Sequence, residues 1–300
     1  MHFSIVSRIL GVLLMLFSIL ANLPSILVSI LYDDSELSSF LTSLLITFFT
    51  GFILWILTLK SSVELRTRDG FLIVTLFWSV LGAFGALPFF FSQALPLTIT
   101  NAVFESISGL STTGATVIVG LDELPRSILF YRQQLQWLGG MGIVALAVAV
   151  LPMLGIGGMQ LYRAESPGPV KNDNLVPRLA ETAQALWYIY LALTAACTLF
   201  FWAAGMSFFD AICHSFATVS IGGFSTHDSS LAFFDSHIIN TIAIVFMFLA
   251  GINFALHFAA WRQHSISQYL KDTELKFYAA ILGVLSIVTV TVLYLSGTYG

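Results

Sequence analysis

Residues 101–117, Asn-Ala-Val-Phe-Glu-Ser-Ile-Ser-Gly-Leu-Ser-Thr-Thr-Gly-Ala-Thr-Val, recur in diverged form at 210–226 as Asp-Ala-Ile-Cys-His-Ser-Phe-Ala-Thr-Val-Ser-Ile-Gly-Gly-Phe-Ser-Thr. The constant offset of 109 aligns Ala102 with Ala211, Ser106 with Ser215, Ser111 with Ser220 and Gly114 with Gly223. Asn101 and Asp210 are residue types that begin helices, so each is expected to cap its copy. Each copy reads as a helix of about three turns running into a Ser/Thr/Gly stretch, flanked by longer hydrophobic segments. Such a helix is too short to cross ~30 Å of hydrocarbon and too apolar for an ordinary surface loop. It dips into the membrane and returns.

Working outward, a chain that is 57% hydrophobic, 14% aromatic and 9% charged has too few polar groups to cover a soluble globule. Apolar runs near 9–31, 38–59, 71–92, 127–155, 183–205, 237–260 and 276–297 predict seven spanning segments. If these alternate, Arg8, Lys60, Arg66, Arg68, Arg163, Lys171, Arg178, Arg262, Lys271 and Lys276 share one side. Only Arg126 and Arg132 fall opposite, with Asp33, Asp34, Glu36, Asp122, Glu123, Asp228 and Asp235. Because cytoplasmic loops retain positive charge, the amino terminus is expected to be cytoplasmic, with both re-entrant elements opening outward. The composition predicts an all-α polytopic membrane protein, with no basic tract for nucleic acid. Cys197 and Cys213 have no metal-ligand spacing and read as packing residues.

A dehydrated ion needs oxygen ligands, which backbone carbonyls supply only where the chain leaves helical geometry. Thr112-Thr113-Gly114-Ala115 and Ile221-Gly222-Gly223-Phe224 each set glycine in such a stretch, after a helix whose carboxyl end carries partial negative charge. Ser/Thr/Gly clusters also serve close helix packing in membranes. Two copies with matched flanks favour a pore over packing alone.

The chain resembles the membrane subunit of Trk-type potassium uptake systems, within the Trk/Ktr/HKT superfamily, over its whole length. Carrying the resemblance are Ser111–Val117, Leu121–Pro125, Tyr131-Arg132-Gln133, Gln136–Gly142, Gly155–Glu165 and Ile221–His227. It implies helix–pore loop–helix repeats of a potassium-channel-like ion transporter, four around one pore. Residues 1–60 correspond to two extra amino-terminal helices, 70–158 and 179–262 to the first two units, and 275–300 to the first helix of an incomplete third unit. The implied ion is potassium, held by the carbonyls of Thr112, Thr113, Gly114, Ala115, Ile221, Gly222, Gly223 and Phe224, with no organic cofactor. The implied location is the bacterial cytoplasmic (inner) membrane. Implied partners are a second copy in a homodimer and a cytosolic nucleotide-binding regulatory subunit docking near 159–178. The sequence stops at Gly300 before a third pore helix and so reads as truncated: two of four filter segments, or a non-conducting fragment or structural partner.

Other residues carry weaker expectations. Asp122, Glu123, Asp228 and Asp235 form an acidic outer vestibule or are solvated loop residues. Glu105 and His214 occupy equivalent positions in the two short helices, where the alternatives are a direct part in transport and, the commoner role, a hydrogen bond to a neighbouring helix or filter backbone. Arg132 is placed to snorkel to the outer interface and, with Gln133, Gln134 and Gln136, to brace the first loop. Gly139–Gly142 and Gly155–Gly158 read as packing glycines. His2, His237, His257 and His264 have no metal-ligand spacing. No His-Glu-x-x-His motif, paired intramembrane aspartates or serine with a membrane histidine supports an intramembrane enzyme.

Overall fold

Phe3–Tyr32 forms one continuous 30-residue helix, α1, although Pro24 lies inside it. Proline has no N–H to give to the carbonyl four residues earlier, here Leu20. Gln134 Nε2, from a distant helix, donates to that carbonyl at 2.7 Å. The defect in α1 is thereby closed by a side chain. Helix α2, Leu37–Leu57, returns alongside α1. They cross at Gly11 and Gly51, where a Cβ on either would sit 2.6 Å from the other's carbonyl oxygen. Backbone contact between small residues is how helices associate in lipid, where apolar burial gives little drive.

The computed structural model describes residues 3–59, 67–153 and 175–297. Of the residues that set orientation, Lys60, Arg66, Arg163 and Lys171 lie outside them, as do Gly155–Gly158 and most of the stretch 159–178. The chain divides into two compact units, Met1–Met247 and Phe248–Gly300. In the first, α3 (Thr67–Gly85) and the short α4 (Leu87–Phe91) lead into α5 (Ile99–Leu110). The 28-residue α6 (Arg126–Met153) and 29-residue α7 (Leu175–Ala203) precede α8 (Phe208–Val219) and α9 (His237–Ala250). Helix α6 is the hub, packing on α1, α5, α7 and α8. Its amino terminus is capped across the fold, Asp34 Oδ2 accepting from Ser127 N at 3.0 Å. Glu36, fully buried, accepts from Ser92 Oγ at 2.8 Å and Ala94 N at 3.1 Å, tying the α1–α2 hairpin to the loop before α5.

In the second unit α10 (Phe254–Arg262), α11 (Ser267–Lys271) and α12 (Thr273–Leu295) follow one another. Asn253 caps α10 through Ala255 N at 3.0 Å, and Asp272 caps α12 through Leu275 N at 2.7 Å. The run expected as one span over 237–260 is therefore two helices, ended at Ala250 and restarted by the Asn253 cap. His257 bonds the Tyr269 hydroxyl at 2.8 Å. Five helices among the described residues are long and apolar enough to cross a membrane: α1, α2, the α3–α4 segment, α7 and α12.

Candidate functional site: paired re-entrant loops

Helices α5 and α8 are each 12 residues long, about 18 Å at ~1.5 Å per residue, and cannot span the bilayer. Their caps are Thr98 and Ser207, not Asn101 and Asp210. Thr98 Oγ1 accepts from Asn101 N at 3.3 Å, and Ser207 Oγ from Asp210 N at 3.0 Å. A hydroxyl three residues ahead of the expected position captured the free N–H, leaving Asp210 to accept from Ser207 Oγ at 2.6 Å and from Thr226 Oγ1 at 2.8 Å.

Both helices end in the same way. Thr112 N bonds Gly109 O at 3.0 Å and Thr113 N bonds Ser108 O at 2.9 Å; at the second copy Ile221 N bonds Thr218 O at 3.2 Å and Gly222 N bonds Ala217 O at 2.8 Å. This is the Schellman pattern, whose left-handed residue is ordinarily glycine. Here it is β-branched: Thr112 and Ile221 each have φ +54°, a conformation costing about 1–2 kcal/mol for such residues. Two residues on, Gly114 (φ +77°) and Gly223 (φ +84°) are left-handed again. The loops touch, because a Cβ on Gly114 would lie 2.1 Å from the Gly222 carbonyl oxygen.

Each helix then holds its own loop through one equivalent pair. Thr116 Oγ1 donates to Glu105 Oε1 at 2.9 Å, and His214 Nε2 pairs with Ser225 Oγ at 3.0 Å, positions 105/214 and 116/225 being related by the offset of 109. The same loop oxygens accept from Ile118 N at 3.0 Å and His227 N at 3.1 Å. Glu105 and His214 thus fasten the loops, the commoner of the roles expected for them.

Arg132 is 1% exposed and Glu105 fully buried; Nη2 and Oε1 are 2.9 Å apart. Arg132 does not snorkel, because two further acceptors hold it inside the protein. Nη1 donates to Ser225 O at 3.1 Å, Nη2 to Thr116 Oγ1 at 3.1 Å, and the guanidinium lies 4.4 Å over the Phe224 ring. It braces both loops rather than the first alone. The neighbouring glutamines divide their work differently from the expectation. Gln136 engages the second loop, donating to Gly222 O at 2.7 Å and accepting from Phe224 N at 3.1 Å. Gln134 holds α1. Gln133 is buried, and among the described residues neither of its amide atoms has a hydrogen-bond partner.

Of the eight expected filter residues, Ala115 and Gly222 have carbonyls that accept side-chain donors, Ala115 O from Ser108 Oγ at 2.6 Å. Among the described residues the other six carbonyls have no protein donor. Gly139 and Gly140 are packing glycines: a Cβ on Gly139 would sit 1.9 Å from Leu110 O, and one on Gly140 3.0 Å from Ser220 Cβ. They let α6 press against the ends of both short helices. Cys197 and Cys213 are buried free thiols.

Above the loops, the acidic residues join the outer segments. Asp228 accepts from Gly120 N and Leu121 N, each at 3.0 Å, and Asp122 accepts from Asp228 N at 3.4 Å and is hydrogen-bonded to His227 Nδ1. The His227 bond holds the Asp122 carboxyl below the usual carboxylate range. His227 stacks 3.5 Å from Phe233 and has Nε2 3.5 Å from Asp210 Oδ1. Asp122 and Asp228 therefore fasten the outer segments of the two loops to one another.

Duplicated short helices ending in matched left-handed loops, set among helices long and apolar enough to cross a membrane, define a multi-pass helical membrane protein. The family model for TrkH, a cation transport protein, matches residues 36–298, and the chain belongs to that family. It is 54% identical over 299 residues to the Trk system potassium uptake protein TrkH of Halomonas elongata and 52% identical over 299 residues to that of Escherichia coli K12. Each alignment covers 100% of this chain and 62% of the relative, so the chain spans under two thirds of their length. Its fold matches the crystal structure of the potassium transporter TrkH from Vibrio parahaemolyticus with TM-score 0.87 and 50% identity, covering 100% of this chain and 61% of that one. These relatives are named as transporters, not enzymes.

Proposed function

We propose that this chain conducts potassium across the bacterial cytoplasmic membrane, its amino terminus cytoplasmic, and contributes two of four segments of a carbonyl-lined filter. The observation that carries the reading is the paired alternation of left-handed residues, Thr112 and Gly114 in one loop and Ile221 and Gly223 in the other. Such alternation lets successive carbonyls turn to one side, as replacement of an ion's hydration shell requires. The ion ligands are drawn from Thr112, Thr113, Gly114, Ala115, Ile221, Gly222, Gly223 and Phe224. The short helices α5 and α8 point their negative ends at these loops. The names of the relatives, all potassium uptake proteins, agree with potassium as the cargo. The remaining filter segments come from a second copy of this chain in a homodimer, with a cytosolic nucleotide-binding subunit completing the assembly.

Rubidium uptake into potassium-starved cells lacking their own uptake systems tests this. The chain is compared with Gly223→Val at matched membrane levels. Uptake that disappears with the substitution is the expected result; uptake that persists with its ion preference unchanged, or none from the unmodified chain, overturns the proposal.

A further inference from the structure

The second loop is held by a side chain from the first unit. Gln136 lies on α6, yet its amide sits against the loop that follows α8, donating to Gly222 O at 2.7 Å and accepting from Phe224 N at 3.1 Å. These two bonds straddle Gly223, the left-handed residue between them. The arrangement is that of one peptide group in a β-ladder, with a side-chain amide in place of a neighbouring strand. It also explains Gly222 itself. Its φ is not in the left-handed region, so conformation does not demand glycine, but a Cβ there would fall 2.4 Å from Gln136 Cδ. The two loops differ in this respect. The carbonyl equivalent to Gly222 O is Thr113 O, which has no protein donor among the described residues, while Ala115 O, equivalent to Phe224 O, is taken by Ser108 of its own short helix. The position 109 residues after Gln136 is Val245, which carries no amide to offer and is 47% exposed.

We infer that Gln136 is a positioning residue for ion selectivity: it withdraws the Gly222 carbonyl from the ion-ligand set and fixes the direction in which the peptides flanking Gly223 face. The inference rests on the proposed function above. The second segment then presents Ile221, Gly223 and Phe224 carbonyls, and its geometry is set by the first unit. A carbonyl already bonded to an uncharged amide donor is a weaker and misdirected ion ligand, and a loop without that bond has more conformations open to it.

The test compares the unmodified chain with Gln136→Leu, Gln136→Glu and Gln134→Leu in membranes, by rubidium-over-sodium preference of uptake and by hydrogen exchange of the 221–226 segment. Gln134→Leu removes a buried amide from the same helix that touches α1, not the loop. Gln136→Leu is expected to reduce ion preference about tenfold and to speed exchange at Phe224 by a similar factor, the size of one lost hydrogen bond. Gln136→Glu keeps the acceptor for Phe224 N but loses the donor to Gly222 O, so it should retain slow exchange and lose preference. Gln134→Leu should alter neither. Preference unchanged in Gln136→Leu, with uptake intact, overturns the inference and leaves the proposed function standing. An unmodified chain with no uptake overturns the proposed function and, with it, the selectivity role; exchange at Phe224 then decides whether the clamp exists at all.

Discussion

Arg132 and Glu105 form a fully buried ion pair, 2.9 Å from Nη2 to Oε1, between the long helix α6 and the short helix α5. Glu105 also accepts from Val117 N at 3.1 Å, so the pair is part of the first loop's backbone bonding. Replacing Arg132 by Leu leaves a buried carboxylate without its cation and frees Ser225 O and Thr116 Oγ1, which predicts a loss of about 3–5 kcal/mol. The double variant Glu105→Gln/Arg132→Leu should recover part of this loss, because no unpaired charge remains. Arg132→Lys should fall between, since an ammonium lacks the planar fork that reaches three acceptors. Thermal unfolding in detergent measures the order; equal losses in the single and double variants would refute it.

Gly114 and Gly223 predict different penalties for the same substitution. Both are left-handed, so alanine at either costs about 1–2 kcal/mol in backbone strain. At Gly114 the new Cβ would also lie 2.1 Å from Gly222 O, whereas at Gly223 it meets nothing within 4 Å. Gly114→Ala should therefore destabilise the paired loops by clearly more than Gly223→Ala. Hydrogen exchange over 112–117 and 221–226 reads the difference, and equal perturbation by the two variants would count against the loop contact.

Much of this was legible in the sequence because duplication doubles a weak signal. The offset of 109 marks the short helices, the left-handed glycines Gly114 and Gly223, and the equivalence of Glu105 with His214. Less legible were the partners. Thr98 and Ser207 lie three residues ahead of Asn101 and Asp210, outside the stretch whose similarity marks the repeat, so the repeat alone does not reveal them as caps. Thr112 and Ile221 are β-branched, which argues against left-handed backbone by propensity; the Schellman bonds impose it. Four polar residues, Arg132, Gln133, Gln134 and Gln136, in an apolar helix signalled bracing. At about 100° per residue Gln133 and Gln134 turn away from the face that Arg132 and Gln136, four residues apart, present to the second loop, and that division follows only from the packing of α6.

The Asp122–His227 contact predicts acid release of the outer loops. Hydrogen bonding to His227 lowers the Asp122 pKa in the folded protein. A depressed carboxyl contributes stability that is present above its unfolded pKa and is lost as pH falls through the lowered folded value, here below about 4. Segments 118–124 and 225–230 should accordingly become protease-sensitive as pH falls below the ordinary aspartate pKa of about 4. Asp122→Asn should show part of that sensitivity already at pH 7, and an Asp122→Asn variant as resistant as the unmodified chain would refute the role.

Pro24 and Gln134 should be energetically coupled although they lie on different helices. Proline withholds an N–H from Leu20 O, and Gln134 Nε2 supplies a donor at 2.7 Å while its Oε1 accepts from Ser25 Oγ at 3.3 Å. Gln134→Leu alone should leave a partly buried carbonyl without its donor, at a loss of about 1–3 kcal/mol. Pro24→Ala restores the helical donor, so the same glutamine change made in that background should cost about 1 kcal/mol less. A double-mutant cycle by equilibrium unfolding measures the coupling. Losses that add to within about 0.5 kcal/mol would mean that Leu20 O finds another donor when Gln134 is gone, and that the helix defect is not what holds α1 to α6.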